Sequence, residues 1–446
     1  MSSLKRLSLK TWTIIICLFL LLIVVAFISG GVNKLVSEWN NLSEDQEGIE
    51  ELQRFGLNNK VSLIAEDNGV RVTITHVVAD DIQTFVYYEV EDLEEDRLLK
   101  VADYWAVKVS SDQGVLDYGQ GFREPVHSIV DRTDEMGNEN KYKGRIGILP
   151  IANNQDEIEL EISGLYEVEA ANVQGFMIPK EHNPPVNGEW LFTIPIEKEE
   201  IFEKQVDVNT EIDGYNLNIN KVTIAPTVTF VHFQYKLKYT EGWTYFYFDQ
   251  LKSEESILKR QDMSLFPVEN VQLSEQGITE YAPFESIYYN VPEGLDLHLA
   301  LIQETIEADQ SFPIDWEQDG PQLFEFMDTE LSIEYDESQS TNKLVINQEY
   351  SEKREYERAN FHIVTEPESY PVNYSSNGIY IDEEGKQHEG SESDYYHAEM
   401  EKLRYFSTQD EVIFEPYNGE LVKPVELKID SYIKTTVPSK NIHLEF

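Results

Sequence analysis

Catalytic chemistry needs a nucleophile, a base or a set of metal ligands, and this chain offers few residues at the spacings that build one. Its nine histidines are scattered, and no two stand at ligand spacing on one strand. His76, His232 and His362 each fall singly on a strand-like stretch, where an isolated imidazole is a surface or core residue rather than a zinc ligand. No G-x-S-x-G, H-E-x-x-H or phosphate-binding glycine loop occurs. Ser2-Ser3-Leu4-Lys5 has the S-x-x-K spacing, but no domain surrounds it. Asp315, Glu317, Asp319 and Gly320 copy the first half of a calcium loop, yet the position that needs a bidentate carboxylate is Phe326, with Glu325 one residue off. Two carboxylates can hydrolyse a glycoside, but they meet in space rather than in sequence, and 83 acids give no basis for choosing a pair. Tyr245 and Tyr247 alternate with Phe246 and Phe248, so one pair faces a core and the stripe reads as strand packing. No catalytic, cofactor-binding or metal-ligating residue is therefore expected, no cofactor, and no enzyme.

The stretch that positions everything else is Thr11 to Ile28, TWTIIICLFLLLIVVAFI, an apolar run without a charge. At a helical rise of about 1.5 Å per residue it reaches about 27 Å, close to the hydrocarbon thickness of a bilayer. Lys5, Arg6 and Lys10 precede it, and no acid occurs before Glu38. Positive residues resist translocation, so the N-terminus is expected in the cytoplasm and the bulk of the chain outside. A cleavable signal peptide is the rival reading. Phe27-Ile28-Ser29-Gly30-Gly31 offers no A-x-A-like pair and Cys17 lies in mid-run, so an uncleaved single-pass anchor in the cell membrane is expected.

Beyond Lys10, 83 Asp and Glu stand against 32 Lys and Arg, a net of −51. Phosphate would be repelled, so a nucleic-acid partner is excluded. The acids are spread without long blocks and read as a solvated surface for an exported protein. The one cysteine, Cys17, lies in the apolar run, which leaves the exported part without disulfides. At 41 % hydrophobic and 12 % aromatic residues it can nonetheless bury real cores.

Leu35, Trp39, Leu42, Ile49, Leu52 and Phe55 recur at roughly helical spacing, and then the period changes to two. Val70–Thr75, Phe85–Val90, Trp105–Val109, Ile158–Ile162 and Trp190–Ile194 read as strands, separated by turns such as Met136-Gly137-Asn138. Gly69, Val72, Ile74, Val77, Thr84, Phe85, Val86 and Tyr88 recur as Gly214, Leu217, Ile219, Val222, Thr229, Phe230, Val231 and Phe233, at a constant offset without a gap. Such a repeat implies tandem domains of one fold. The expected organisation is a cytoplasmic stub 1–10, a transmembrane helix 11–28, a juxtamembrane helical segment 29–56, a β-sandwich 57–200, a second 201–327, and a β-rich C-terminal domain 328–446. The fold class is all-β, antiparallel sandwiches in tandem.

Asn68-Gly69-Val70-Arg71-Val72-Thr73-Ile74, Phe85-Val86-Tyr87-Tyr88 and Gly188-Glu189-Trp190-Leu191-Phe192 resemble the extracytoplasmic domain of unknown function of Gram-positive single-pass membrane proteins. That family often accompanies anti-sigma factors. Val425 to Ile433 is similar to its C-terminal companion module. The resemblance implies immunoglobulin-like sandwiches in the envelope and brings no catalytic residues. Met1 to Lys10 is too short to hold a sigma factor, so the expected role is accessory to such regulation. The functional expectation is a non-catalytic binding or sensing protein at the envelope, partnered by the membrane and by an envelope protein or the cell wall. Its alternative is a passive structural or adhesive spacer.

Overall fold

The computed structural model describes residues 56, 60–95, 97–102, 104–111, 125–131, 141–170, 177–179, 186–238, 242–253, 256–261, 271–274, 277–315, 318, 320–337, 342–382, 385–391, 404–415 and 422–446. The expected stub, transmembrane helix and juxtamembrane segment up to residue 55 lie outside them, as does the Met136-Gly137-Asn138 turn. The described residues are all-β, with no α-helix among them and one 3-10 turn, Tyr104–Ala106. Among these residues no helix is long and apolar enough to cross a membrane. The chain divides into two compact units, Met1–Ala79 with Thr84–Glu197, and Asp80–Gln83 with Lys198–Phe446.

The first unit contains β1 Lys60–Asp67, β2 Val70–Ala79, β3 Thr84–Asp92, β4 Leu99–Val101, β5 Val107–Ser110, β6 Val126–Asp131, β7 Lys141–Ile148, β8 Glu157–Ala170, β9 Met177–Pro179 and β10 Val186–Pro195. One antiparallel sheet has the order β1-β2-β3-β7-β6; the other runs β10-β8-β4, with β5 and β9 also paired to β8. Alternation brings Val72, Ile74, Tyr88 and Ile146 from the first sheet against Leu160, Ile162, Trp190 and Ile194 from the second. The strand expected over Trp105–Val109 begins only at Val107, because Trp105 and Ala106 are taken up by the 3-10 turn.

The β1–β2 turn shows why this sequence makes this sheet. Asn68 and Gly69 have φ of 48° and 75°, the left-handed pair that closes a two-residue hairpin. The turn also ties β10 down. Asn68 Nδ2 donates to the Asn187 carbonyl at 2.7 Å, and the Glu189 amide donates to Asp67 Oδ2 at 2.8 Å. Between those bonds β10 shifts register, and Trp190 then turns its indole inward to donate from Nε1 to the Val70 carbonyl at 3.1 Å. Gly188 is required there, since a Cβ on it would lie 2.5 Å from the indole.

The second unit contains β11 Phe202–Ile212, β12 Tyr215–Ile224, β13 Thr229–Tyr235, β14 Gly242–Lys252, β15 Ile257–Lys259, β16 Val271–Ser274, β17 Gly277–Phe284, β18 Gly294–Pro313, β19 Gln322–Phe326, β20 Thr329–Glu337, β21 Asn342–Gln348, β22 Arg358–Glu366, β23 Asn373–Ile381, β24 Gln387–Ser391, β25 Arg404–Phe414, β26 Lys423–Thr436 and β27 Lys440–Glu445. Its first sheet, β11-β12-β13-β17-β16, repeats the order of β1-β2-β3-β7-β6. The repeat extends to the irregularities. Asp213 and Gly214 hold φ of 49° and 77°, and Ile219 faces Phe233 before a register shift, as Ile74 faces Tyr88 before one.

The remaining sheets are organised by β18, 20 residues long. The order β15-β14-β18-β26-β22 is extended by β27, which pairs with the first half of β18 while β26 pairs with the second. Leu295, Leu297 and Leu299 pack into the core under β11–β13, together with Ile442 and Leu444 of β27. At Ala300 the pairing with β14 slips by one residue, which turns Ile302 rather than Leu301 into that core. Phe312, at the far end, packs with Ile314, Phe324 and Leu427 in a second core closed by the sheet β19-β20-β21-β25-β23-β24. Strands from either side of residue 327 thus share one sheet.

Candidate functional site

Polar groups in the second unit gather at three places. The first is inside the β11–β17 sandwich. Tyr215 Oη donates to Glu304 Oε1 at 2.7 Å and lies 2.9 Å from Thr244 Oγ1. Tyr235 Oη lies 2.7 Å from Glu280 Oε1 and 3.0 Å from the Thr244 carbonyl. Lys238 sits over the Tyr215 ring at 3.8 Å and reaches Glu304 at 3.4 Å. Burial pushes the Glu280 carboxyl above its ordinary range, against the lowering effect of the Tyr235 bond and Arg260. Burial, and then the charge of Glu280, pushes the Tyr235 phenol up as well. Burial thus biases both the carboxyl and the phenol toward their neutral forms. The chemistry suits structure rather than turnover.

The second place is built around the segment between β21 and β22, with residues from β21, β23, β25 and β26. Arg354 is 6 % exposed and donates to the carbonyls of Tyr356 (2.9 Å), Ser407 (2.8 Å) and Glu357. Glu357 accepts from Arg404 Nε and Thr435 Oγ1, each at 2.6 Å. Asp410 accepts from Ser407 Oγ at 2.6 Å, Gln348 Nε2 at 2.9 Å and Tyr374 Oη at 2.6 Å. Burial lowers the Arg354 guanidinium and raises the Glu357 carboxyl. Each ion here is already saturated by groups of the chain. The network joins four strands, β21, β23, β25 and β26, to the segment that precedes β22.

The third is on the outer face of the sheet around β18. Asp249 is the extra residue of a bulge in β14, between the pairs Phe248–Leu299 and Gln250–His298. The bulge turns its carboxylate to the outer face, where Oδ1 lies 2.5 Å from His298 Nδ1. The other ring nitrogen, Nε2, lies 3.3 Å from Ser439 Oγ in the connection between β26 and β27. His298 faces Asn441 of β27, so Ser439 is its diagonal neighbour on the same face. An acid that is 8 % exposed, a half-buried imidazole and an exposed hydroxyl stand in line. No spacing in the sequence marks this set, since its members come from two strands and a connection far apart in the chain and depend on a bulge.

The residues singled out in the sequence end elsewhere. Phe326 is buried in the core with Tyr356 and Ile429, while Asp315 ties its backbone to the Gln322 side chain; Glu317 and Asp319 lie outside the described residues. Among the described residues no group of His, Cys, Asp and Glu is arranged to hold a metal ion. Phe246 and Phe248 are the core pair, and Arg260 covers the rings of Tyr245 and Tyr247. His76 is buried on β2 edge-on to Tyr87, and His362 is exposed.

His232 yields a test. Its Nε2 lies 2.9 Å from Thr223 Oγ1 and its ring lies against Tyr281. Burial, followed by the nearby Lys221 charge, lowers its pKa from 6.5 to about 4. A depressed folded pKa means that the stability held above pH 6.5 is lost as pH falls toward 4. The shift corresponds to about 2 to 3 kcal/mol after allowance for partial exposure. Melting temperature measured from pH 7 to pH 4 should therefore fall less steeply for His232→Gln than for the parent. Parallel curves would show that His232 does not set the acid limb.

Three comparisons bear on relationship. No curated protein matches the chain. The conserved domain protein from Bacillus anthracis, known from its crystal structure, is similar over 81 % of this chain and 92 % of its own, at 12 % identity and a TM-score of 0.31. A similarity at that score carries no argument about fold or function. Residues 4–92 match the family described as Domain of unknown function (DUF4179), so the resemblance read from the β2 and β3 residues is to a domain-of-unknown-function family.

Proposed function

We propose that this chain is a single-pass, N-in membrane protein that presents its two β units outside the cell and binds or senses there. One observation carries the reading. The uncharged run Thr11–Ile28 follows Lys5, Arg6 and Lys10, and basic residues flanking such a run resist translocation, which supports an N-in orientation. The finer reading is of immunoglobulin-like sandwiches in a Gram-positive envelope, accessory to sigma-factor regulation. It rests on the resemblance alone.

Protease shaving of intact cells, followed by crosslinking at the membrane and mass spectrometry, tests it. The expected result is cleavage of the acidic units from outside and a crosslinked membrane regulator. Crosslinks to wall components alone would favour the passive spacer. Full protection from the protease would overturn the topology.

A further inference from the structure

We infer that Ser439 is a nucleophile, activated by His298 and Asp249, that accepts an acyl group from an uncharged or cationic activated ester. This goes beyond binding or sensing and stands whether or not the membrane topology holds. Three independent features converge on the hydroxyl. The geometry is that of a serine triad, with Asp249 Oδ1 at 2.5 Å from His298 Nδ1 and His298 Nε2 at 3.3 Å from Ser439 Oγ. The 3.3 Å separation is the looser contact that such pairs show before substrate arrives. Triads of this kind occur in several chain orders on unrelated folds, so the order Asp249, His298, Ser439 is no obstacle.

The second feature is the backbone. Ser439 holds φ of 44°, in the left-handed region. Of the six non-glycine residues with positive φ among those described, four are Asn or Asp, which tolerate it; Ser439 and Met327 are not. Strain of this sort persists only where the surroundings enforce it. The next residue, Lys440, is tied down by donating from Nζ to Thr210 Oγ1 at 2.9 Å and to the Glu211 carbonyl at 3.2 Å. The third feature is the gradient of burial. The acid is shielded, the imidazole half-buried and the serine exposed, so exposure rises from the acid toward the reacting residue.

The step balances without a co-reactant. Ser439 Oγ gives its proton to His298 Nε2 as the oxygen attacks the acyl carbon. Asp249 stabilises the imidazolium. The bond from that carbon to the leaving oxygen then breaks, and the leaving group departs with the proton from His298. The chain is left with an ester at Ser439. The strongly negative charge of the chain disfavours anionic substrates, which selects neutral or cationic esters.

The test uses the full-length protein in detergent and a neutral alkyl fluorophosphonate, which bonds to an activated serine oxygen with loss of fluoride. Peptide mapping should place one adduct at Ser439. His298→Gln should slow labelling by about 100-fold, the usual contribution of a general base, and Ser439→Ala should abolish it. Absence of an adduct at Ser439 in the unsubstituted protein overturns the inference, and that reading needs no variant to fold. Equal labelling rates in folded His298→Gln also overturn it, because Ser439 would then react without its base. A serine that only pins the turn would remain unlabelled, while Ser439→Ala melts at a lower temperature.

Discussion

Trp190→Ala is expected to destabilise the first unit by about 3 to 5 kcal/mol, the range for deleting a fully buried aromatic side chain. Trp190 is 0 % exposed and stands in the middle of the core shared by the two sheets. Two losses combine. The indole volume leaves a cavity that strands cannot close, and the Val70 carbonyl loses the Nε1 donor that met it at 3.1 Å. Trp190→Phe separates them, since it retains much of the volume and forfeits the donor; about 1 to 2 kcal/mol is expected. Gly188→Ala approaches the same core from the other side, because its Cβ would lie 2.5 Å from the ring. Amide exchange in β1, β2 and β10 reads the effect within the first unit. Protection in those strands that stays within about 1 kcal/mol of the parent would show that the indole is not the centre of this core.

The second large effect is at Arg354. Replacement by alanine is expected to cost about 3 to 5 kcal/mol, the magnitude seen when one partner of a buried ionic network is removed. Three carbonyls, those of Tyr356, Glu357 and Ser407, lose the guanidinium together, and of these Glu357 keeps the Ser407 amide as a donor. The Tyr356 ring, 4.5 Å from the guanidinium, loses its cover. Lysine should not rescue, because a single ammonium cannot reproduce three donors held in a planar fork. The Ser407 amide donates to the Glu357 carbonyl at 3.1 Å, and the Glu357 amide to the Ile433 carbonyl at 2.7 Å. Exchange at these two amides therefore reports the network locally. Unchanged exchange in Arg354→Ala would mean that Arg354 is a passenger. Because the chain has two units, global unfolding curves would mix their transitions, and local exchange is the better measure.

Much of the fold was legible in the sequence because β-structure writes itself at period two. Val72 and Ile74 alternate with the partly buried Thr73 and Thr75, Val86 and Tyr88 keep the same period although Phe85 and Tyr87 between them are also buried, and the copies Leu217, Ile219, Val231 and Phe233 occupy the same positions in the second unit. Gly69 and Gly214 were legible through the repeat, and the structure makes each the second residue of a two-residue hairpin with positive φ. Trp105 and Ala106 were misread, because alternation alone cannot tell a strand from the short 3-10 turn that precedes one.

The amino-acid sequence by itself determined the all-β class, the duplicated hairpin, the acidic surface and the apolar run that orders the proposal on topology. These depend on residues close in the chain or on composition, and no partner is needed to read them. The tertiary structure alone decided that β27 returns to β18, that Arg354 satisfies three carbonyls, and that Asp249, His298 and Ser439 stand in line. Those facts rest on pairings between strands far apart in sequence and on single-residue bulges at Asp249 and Ala300. A slip of one residue there changes which face a side chain occupies, and period-two reading has no means of seeing it.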